Sequence, residues 1–184
     1  MENSVKLVQP GHFEAAEHFY PKALNAQLHP MVSYFLSLSR ERLVERYVHM
    51  HPSVSSTALS NLLTQPMKYF YWGGADLFYV TTAAGNREMI VLETNSCPSG
   101  QKSMPNISDS DEYRGYRKLI ENSFLPQLEK KRLPKGSLAI LYDKNLIEAS
   151  GYAAVLADLT NESVYLIPHF DEEEQWITFE DGVM

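Results

Sequence analysis

Two runs rich in aromatic and β-branched residues, Tyr69 to Thr82 and Arg87 to Asn95, flank the turn sequence Ala83-Ala84-Gly85-Asn86, and this arrangement predicts a β-hairpin. Side chains alternate along a strand, so Glu93 and Asn95 share one face. A four-residue loop pairs Thr82 with Arg87 and sets Asp76 opposite Glu93, whereas a two-residue loop sets Asp76 opposite Asn95. Either register puts Asp76 on the same face as both. Side-chain oxygens from Asp76, Glu93 and Asn95 at one end of a hairpin suit a hard cation such as Mg²⁺, with water and nucleotide phosphate oxygens as its remaining ligands. The structural alternative has Asp76 and Asn95 closing turns at the open end of the hairpin, with Glu93 in solvent. Against it, Met89 to Leu92 make both faces of the strand apolar, which predicts burial. A buried carboxylate without a partner is costly.

The strand runs into the stretch LETNSCPSGQKSMP, Leu92 to Pro105, which has two other readings. A phosphate-binding loop of the G-x-x-x-x-G-K-[ST] form lets successive backbone N–H groups curl around phosphates while its lysine reaches the terminal ones. Here Gln101 separates Gly100 from Lys102, and the first glycine position is not glycine, so the pattern fails in two places. A nucleophilic Cys97 needs a neighbouring base or positive charge to lower its pKa, and the chain's histidines are distant in sequence. A lone cysteine is more often a small buried apolar residue.

The chain has 184 residues, 44% of them hydrophobic, enough to bury a core. A net charge of -7 leaves no basic stripe for a phosphate backbone, so nucleic acid is not an expected partner. The first residues, MENSVKLVQPGHFEAAEHF, carry no apolar run of the signal-peptide kind. No segment reaches the roughly 20 apolar residues of a membrane span. The single cysteine excludes an internal disulfide, and the expected location is the cytoplasm.

Three regions are expected: a helical N-terminal region over 1–66, the hairpin and a following helix over 67–133, and an α/β segment over 134–184. In the first, Phe13, Ala16, Phe19, Leu24 and Leu28 follow mostly helical spacing interrupted at Pro21. A second helix follows a Ser39 cap and stops at Pro52, and SSTALSNLL predicts a third. DEYRGYRKLIENSFLPQLEKKRL predicts an amphipathic helix starting near Asp109 or Ser110, with Lys130, Lys131 and Arg132 at its negative end. SLAILYDK, EASGYAAVLADLT and SVYLIPHF then make a β-α-β unit, expected to be parallel and right-handed. A final strand over Trp176 to Phe179 precedes Asp181-Gly182, a hairpin signal with almost no return strand, which predicts an edge strand and a chain that is the N-terminal part of a longer one. DEEE at 171–174 and the HMH at 49–51 read as surface residues. Lys102, Arg114, Arg117 and Lys118 could form a small anion-binding patch, with helix solvation the stronger reading.

The strand pair ADLFYVTT…REMIVLETNSCPSG resembles the ATP-grasp superfamily, in which an Asp on one strand and a Glu-x-Asn on the next hold Mg²⁺ ions that bridge the phosphates of ATP. The early motif, followed by LAILYDK…ASGYAAVLADL…VYLIPHF, resembles the circularly permuted branch of glutathionylspermidine-synthase-like ligases, where a Rossmann-like pre-ATP-grasp domain follows the metal strand. The resemblance spans roughly 69 to 170. It implies an α/β fold with N-terminal helices, an ATP-grasp-like sheet and a Rossmann-like segment. It also implies Asp76, Glu93 and Asn95 as metal ligands, and Ser99, Gly100 and Lys102 beside the acceptor or phosphate site. Mg²⁺ and ATP are the implied cofactor and co-substrate, with small carboxylate and amine or thiol substrates joined through an acyl phosphate. Two features depart from the pattern: Gly74 stands where relatives often carry Arg, and the adenine-clamping lobe would lie beyond Met184. The alternative is a non-catalytic ATP-grasp-like fragment that serves as a binding or assembly module.

Overall fold

The computed structural model describes residues 4–95, 100–106, 111–130, 136–170, 176–181 and 183–184. In chain order the elements are β1 (Lys6–Val8), α1 (Ala15–His18), α2 (Pro21–Leu24), α3 (Pro30–Leu36), α4 (Arg40–Met50), α5 (Ser56–Thr64), β2 (Gly74–Thr81) and β3 (Arg87–Asn95). A 3-10 turn over Gln101–Ser103 is followed by α6 (Arg114–Leu119), a π turn over Ile120–Phe124, α7 (Leu125–Lys130), β4 (Leu138–Tyr142), α8 (Leu146–Thr160) and β5 (Val164–Pro168). The fold is mixed α/β with small sheets: a three-stranded sheet in the order β1-β5-β4, and the two-stranded pair β2-β3. No helix among the described residues is long and apolar enough to cross a membrane.

The chain divides into two compact units, one of residues 27–71 and the other of 1–26 with 72–184. In the smaller unit, α4 and α5 begin as their sequences dictate. Ser39 Oγ accepts from Arg42 N–H at 3.3 Å and Ser55 Oγ from Ala58 N–H at 3.3 Å, each satisfying an N–H with no helical partner. Further up, α3 starts on Pro30, where a missing N–H costs nothing.

The larger unit is organised around α8. The β4-α8-β5 unit is parallel, in register from Leu138 opposite Val164 to Tyr142 opposite Pro168. β1 adds antiparallel to β5 and places β5 in the middle. Three residues are too few to show a period, which is why sequence pattern does not reveal β1. Ala153, Val155, Leu156 and Ala157 of α8 pack with Val164 and Leu166 of β5 in one core cluster that also holds Phe19, Tyr116 and Ile120. Tyr116 is fully buried on Gly151. Its ring meets Phe19 at 5.3 Å and Tyr152 at 4.9 Å between centroids, and its hydroxyl donates to the His18 carbonyl at 3.0 Å.

The helix expected from DEYRGYRKLIENSFLPQLEKKRL is continuous but not uniform: a π turn joins α6 to α7. Pro126 has no N–H to give, and its ring crowds the carbonyl of the preceding turn, which is where the π turn lies. The start near Asp109 or Ser110 and the basic residues Lys131 and Arg132 lie outside the described residues. Pro21 does divide the first helical segment into α1 and α2.

Two expectations are corrected. Trp176 to Phe179 forms no strand; Trp176 is 47% exposed, Ile177 turns inward, and beyond them a single bridge joins Glu180 to Val183. No strand lies beside this segment among the described residues, so its backbone has no ladder to join. The hairpin strands, expected to be buried on both faces, instead expose Leu77, Phe78, Ile90, Val91 and Leu92, while Tyr79, Val80 and Met89 are only half-buried.

The contact between Gly151 and Tyr116 yields a prediction of opposite sign to helix propensity. Gly to Ala inside a helix ordinarily gains roughly 1 kcal/mol, but a Cβ at Gly151 would sit 2.6 Å from Tyr116 Cζ. Thermal and urea unfolding should show Gly151→Ala destabilised by about 1 to 3 kcal/mol, the usual range for overpacking a core.

Candidate functional site

Two places in the larger unit gather chemistry. The first is the open end of the hairpin. The ladder begins across a five-residue connection, one residue longer than the four-residue loop, with Thr81 opposite Arg87, and the pairing runs this way to Leu77 opposite Val91. Continued without interruption, it would set Asp76 opposite Leu92 and send Glu93 to the other face. A β-bulge intervenes between Asp76 and Leu77: Leu92 is the extra residue, Asp76 faces Glu93, and Gly74 faces Asn95. Asp76, Glu93 and Asn95 therefore share one face, and Asn95 Nδ2 donates to Glu93 Oε1 at 3.3 Å.

Two carboxylates directly opposite each other repel, and neither has a lysine or arginine partner among the described residues. Gly74 contributes no side chain to the face beside them, its position opposite Asn95 staying open. This donor set of two carboxylates and an amide fits a hard divalent cation that keeps most of its ligands from water or substrate. Among the described residues no group of three or more His, Cys, Asp or Glu side chains is assembled to hold a metal by itself.

The second place is built on Glu148, which no motif marks. It lies in the first turn of α8 and is only 3% exposed. Its Oε1 accepts from Gln101 N–H at 2.6 Å, and its Oε2 lies 3.6 Å from Lys102 Nζ. Lys102 Nζ also donates to Asn145 Oδ1 at 2.8 Å and stands 5.6 Å from the centre of the Tyr20 ring. The loop that follows the hairpin is thus pinned to α8. Gly100 makes this possible by taking a φ of +94°, a left-handed conformation that suits glycine, just before the 3-10 turn. Gln101 buries its side chain against Gly115, where any Cβ would collide with it.

Of the residues expected at an acceptor or phosphate site, Lys102 is engaged by Glu148 and Asn145, Gly100 shapes the turn, and Ser99 lies outside the described residues, as does Cys97. The anion patch is not free either. Arg114, itself at a positive φ of 51°, is buried and donates to the carbonyls of Ala23 at 2.9 Å and Met104 at 3.2 Å, with Phe19 beneath its guanidinium. Arg117 binds Asp111 and Glu121 and lies over Tyr113; Lys118 is in solvent. The DEEE run lies outside the described residues, and His51 stacks on Tyr47.

Beside Glu148 a pocket of about 500 Å³ opens between β4, α8 and the helix from Leu119 to Phe124. It runs along β4 from Ala139 and reaches Asp143, just past the strand's carboxyl end, the side on which open α/β sheets place their ligands. Glu148, Asn145 and Asp143 form its polar end and the rest of its wall is largely apolar.

A third group, His18 with Ser150, has the look of a nucleophile and base, with Oγ 3.2 Å from Nδ1. Ser150 Oγ, however, donates to the Ile147 carbonyl at 2.9 Å, so its proton is spent there and the imidazole donates to it. Burial holds His18 below the ordinary imidazole pKa, against the opposing pull of Glu17, the Ile147 carbonyl and Glu14. Burial, with the charge of Glu148 second, raises the Tyr116 phenol well beyond its ordinary range.

Comparison with protein-family models, with curated proteins and with solved structures finds no significant match.

Two outcomes follow from these contacts. The unfolded chain binds a proton at His18 with the ordinary value of 6.5 and the folded chain below it, so in acid the unfolded state holds more protons and stability falls as pH drops through 6.5. Melting curves from pH 8 down to about pH 5 should therefore show a shallower acid decline for His18→Gln than for the parent. Lys102→Met strands the Glu148 carboxylate, and urea unfolding at pH 7 should report a loss of about 3 kcal/mol or more. The double variant Lys102→Met/Glu148→Gln should recover much of it.

Proposed function

We propose that this chain is part of an ATP-dependent ligase of the ATP-grasp type. In this reading the hairpin belongs to an ATP-grasp-like sheet and the β4-α8-β5 segment to a Rossmann-like pre-ATP-grasp domain. The enzyme works in the cytoplasm, where it activates a small carboxylate as an acyl phosphate that an amine or thiol then attacks. The observation that carries the reading is the bulge at Leu92, which turns Glu93 onto the face of Asp76 and Asn95. Bulges beside functional sites re-aim side chains in this way. Here the cost is a like-charge pair that a cation would relieve.

Asp76 and Glu93 are the residues that would hold Mg²⁺, with Asn95 as the neutral third donor. Bound there with ATP, the ion offsets charge on the phosphoryl oxygens as it develops. The strand pair holds the two carboxylates at adjacent ladder positions, so little reorganisation is needed when a cation arrives. Asn95 orients Glu93 through its amide. A second reading, an assembly module that keeps the fold without the chemistry, is favoured by the apolar side chains exposed on both faces of the hairpin, since an isolated two-stranded hairpin is marginal in water.

Glu93→Gln separates the two. It removes one of two facing charges without changing shape, so without ligand the variant should melt at the parent's temperature or higher, by up to about 1 kcal/mol. Calorimetry should give Mg²⁺ binding for the parent that is lost in the variant. Thermal melts should lose the corresponding shift. Absence of Mg²⁺ binding in the parent, or its survival unchanged in Glu93→Gln, sinks the ligase reading and leaves the assembly module.

A further inference from the structure

We propose that the pocket beside β4 binds a small organic amine with an apolar body. This site stands apart from the hairpin and does not rest on the ligase reading. The pocket touches five consecutive residues, Ala139 to Asp143. Because alternate strand residues face opposite sides of a sheet, contact with all five means that it runs along the outer edge of β4, which has no partner strand among the described residues. Leu119 and Phe124 line it from the neighbouring helix and Tyr152 from α8. A volume of about 500 Å³, mostly apolar with a few converging polar groups, is that of a small-molecule site.

The polar end decides the ligand class. Asp143, Asn145 and Glu148 all bring acceptor oxygens, and among the described residues no lysine or arginine lines the pocket. Lys102 lies against Asn145 and Glu148 and offsets the Glu148 charge. The amino end of α8 adds about half a positive charge, which by itself favours anions, but Glu148 already stands in that first turn. Asp143 remains, exposed at the rim and in no ion pair among the described residues. The balance at this end is negative, so an ammonium is attracted and a carboxylate or phosphate is repelled. The apolar wall takes an aromatic or branched aliphatic body.

The probes are 2-phenylethylamine, its neutral analogue 2-phenylethanol and the anionic 3-phenylpropionate, each titrated into the full chain by NMR at neutral pH. The amine should bind, perturbing amides of β4 and the first turn of α8, while the alcohol binds at least about tenfold more weakly and the acid not at all. Asp143→Asn, at an exposed position that leaves folding intact, should weaken the amine about tenfold and the alcohol little. Leu141→Lys, which adds a cation to the exposed pocket wall, should abolish amine binding. The proposal is overturned if the acid or the alcohol binds as well as the amine, if Asp143→Asn leaves the amine unaffected, if the shifts map to the hairpin, or if none of the three binds. A neutral extended peptide that pairs with β4 and displaces the amine without sensitivity to Asp143→Asn would also overturn it, in favour of strand addition.

Discussion

The larger unit depends on one buried carboxylate. Glu148 lies within the first turn of a helix packed on several sides, where an unpaired charge would cost several kcal/mol. Its two oxygens are met by the Gln101 N–H and the Lys102 ammonium, both from a loop 47 residues or nearly so away in sequence. Meeting that demand fixes where the chain goes after the hairpin. The loop is held against α8, the Lys102 carbonyl accepts from Tyr20 N–H at 2.8 Å, and Arg114 gathers the carbonyls of Ala23 and Met104 around itself. The N-terminal segment, the loop and α8 are thereby joined by polar bonds as well as by the aromatic layer of Phe19 and Tyr116.

The hairpin follows a different logic. Among the described residues it is held chiefly by its own ladder and cross-strand pairs. Placing Asp76 against Glu93 runs against that stability, and it takes an irregularity, the bulge at Leu92, to do so. The proposed cation site rests on this departure from the regular ladder. Where Asp111 and Glu121 take Arg117 as partner, Asp76 and Glu93 have none among the described residues.

The two candidate sites thus differ in kind. At the hairpin the charges are exposed, opposed and open to a cation with its water. At the β4 pocket the innermost charge is buried and compensated, the walls are apolar, and the remaining charge sits at the rim. Strand, short loop and helix place the second site where parallel β-α-β units place ligands. The first lies at the end of a two-stranded ribbon, where side chains from both strands reach one spot.

Much of the local structure was legible in the sequence. Aromatic and β-branched residues on both sides of Ala83-Ala84-Gly85-Asn86 marked the hairpin, Ser39 marked the start of α4, Pro21 marked a break, and the apolar runs around Ala153 marked the β-α-β unit. These are signals within one turn or one strand pair, carried by dihedral preferences and by period. That Asp76, Glu93 and Asn95 would share a face was legible too, although for a different reason than the one that operates: the loop closes in another register and the bulge restores the pairing. What only tertiary structure decided is which polar groups are already spent. Lys102 and Arg114 read in sequence as members of a possible anion patch or as solvated helix residues and are tied down in the fold, while Glu148, which no sequence motif marks, is the anchor of the unit. Sequence carries the identity of a charge. Its partner, and the desolvation that makes the partner necessary, come from residues far along the chain that only packing brings within reach.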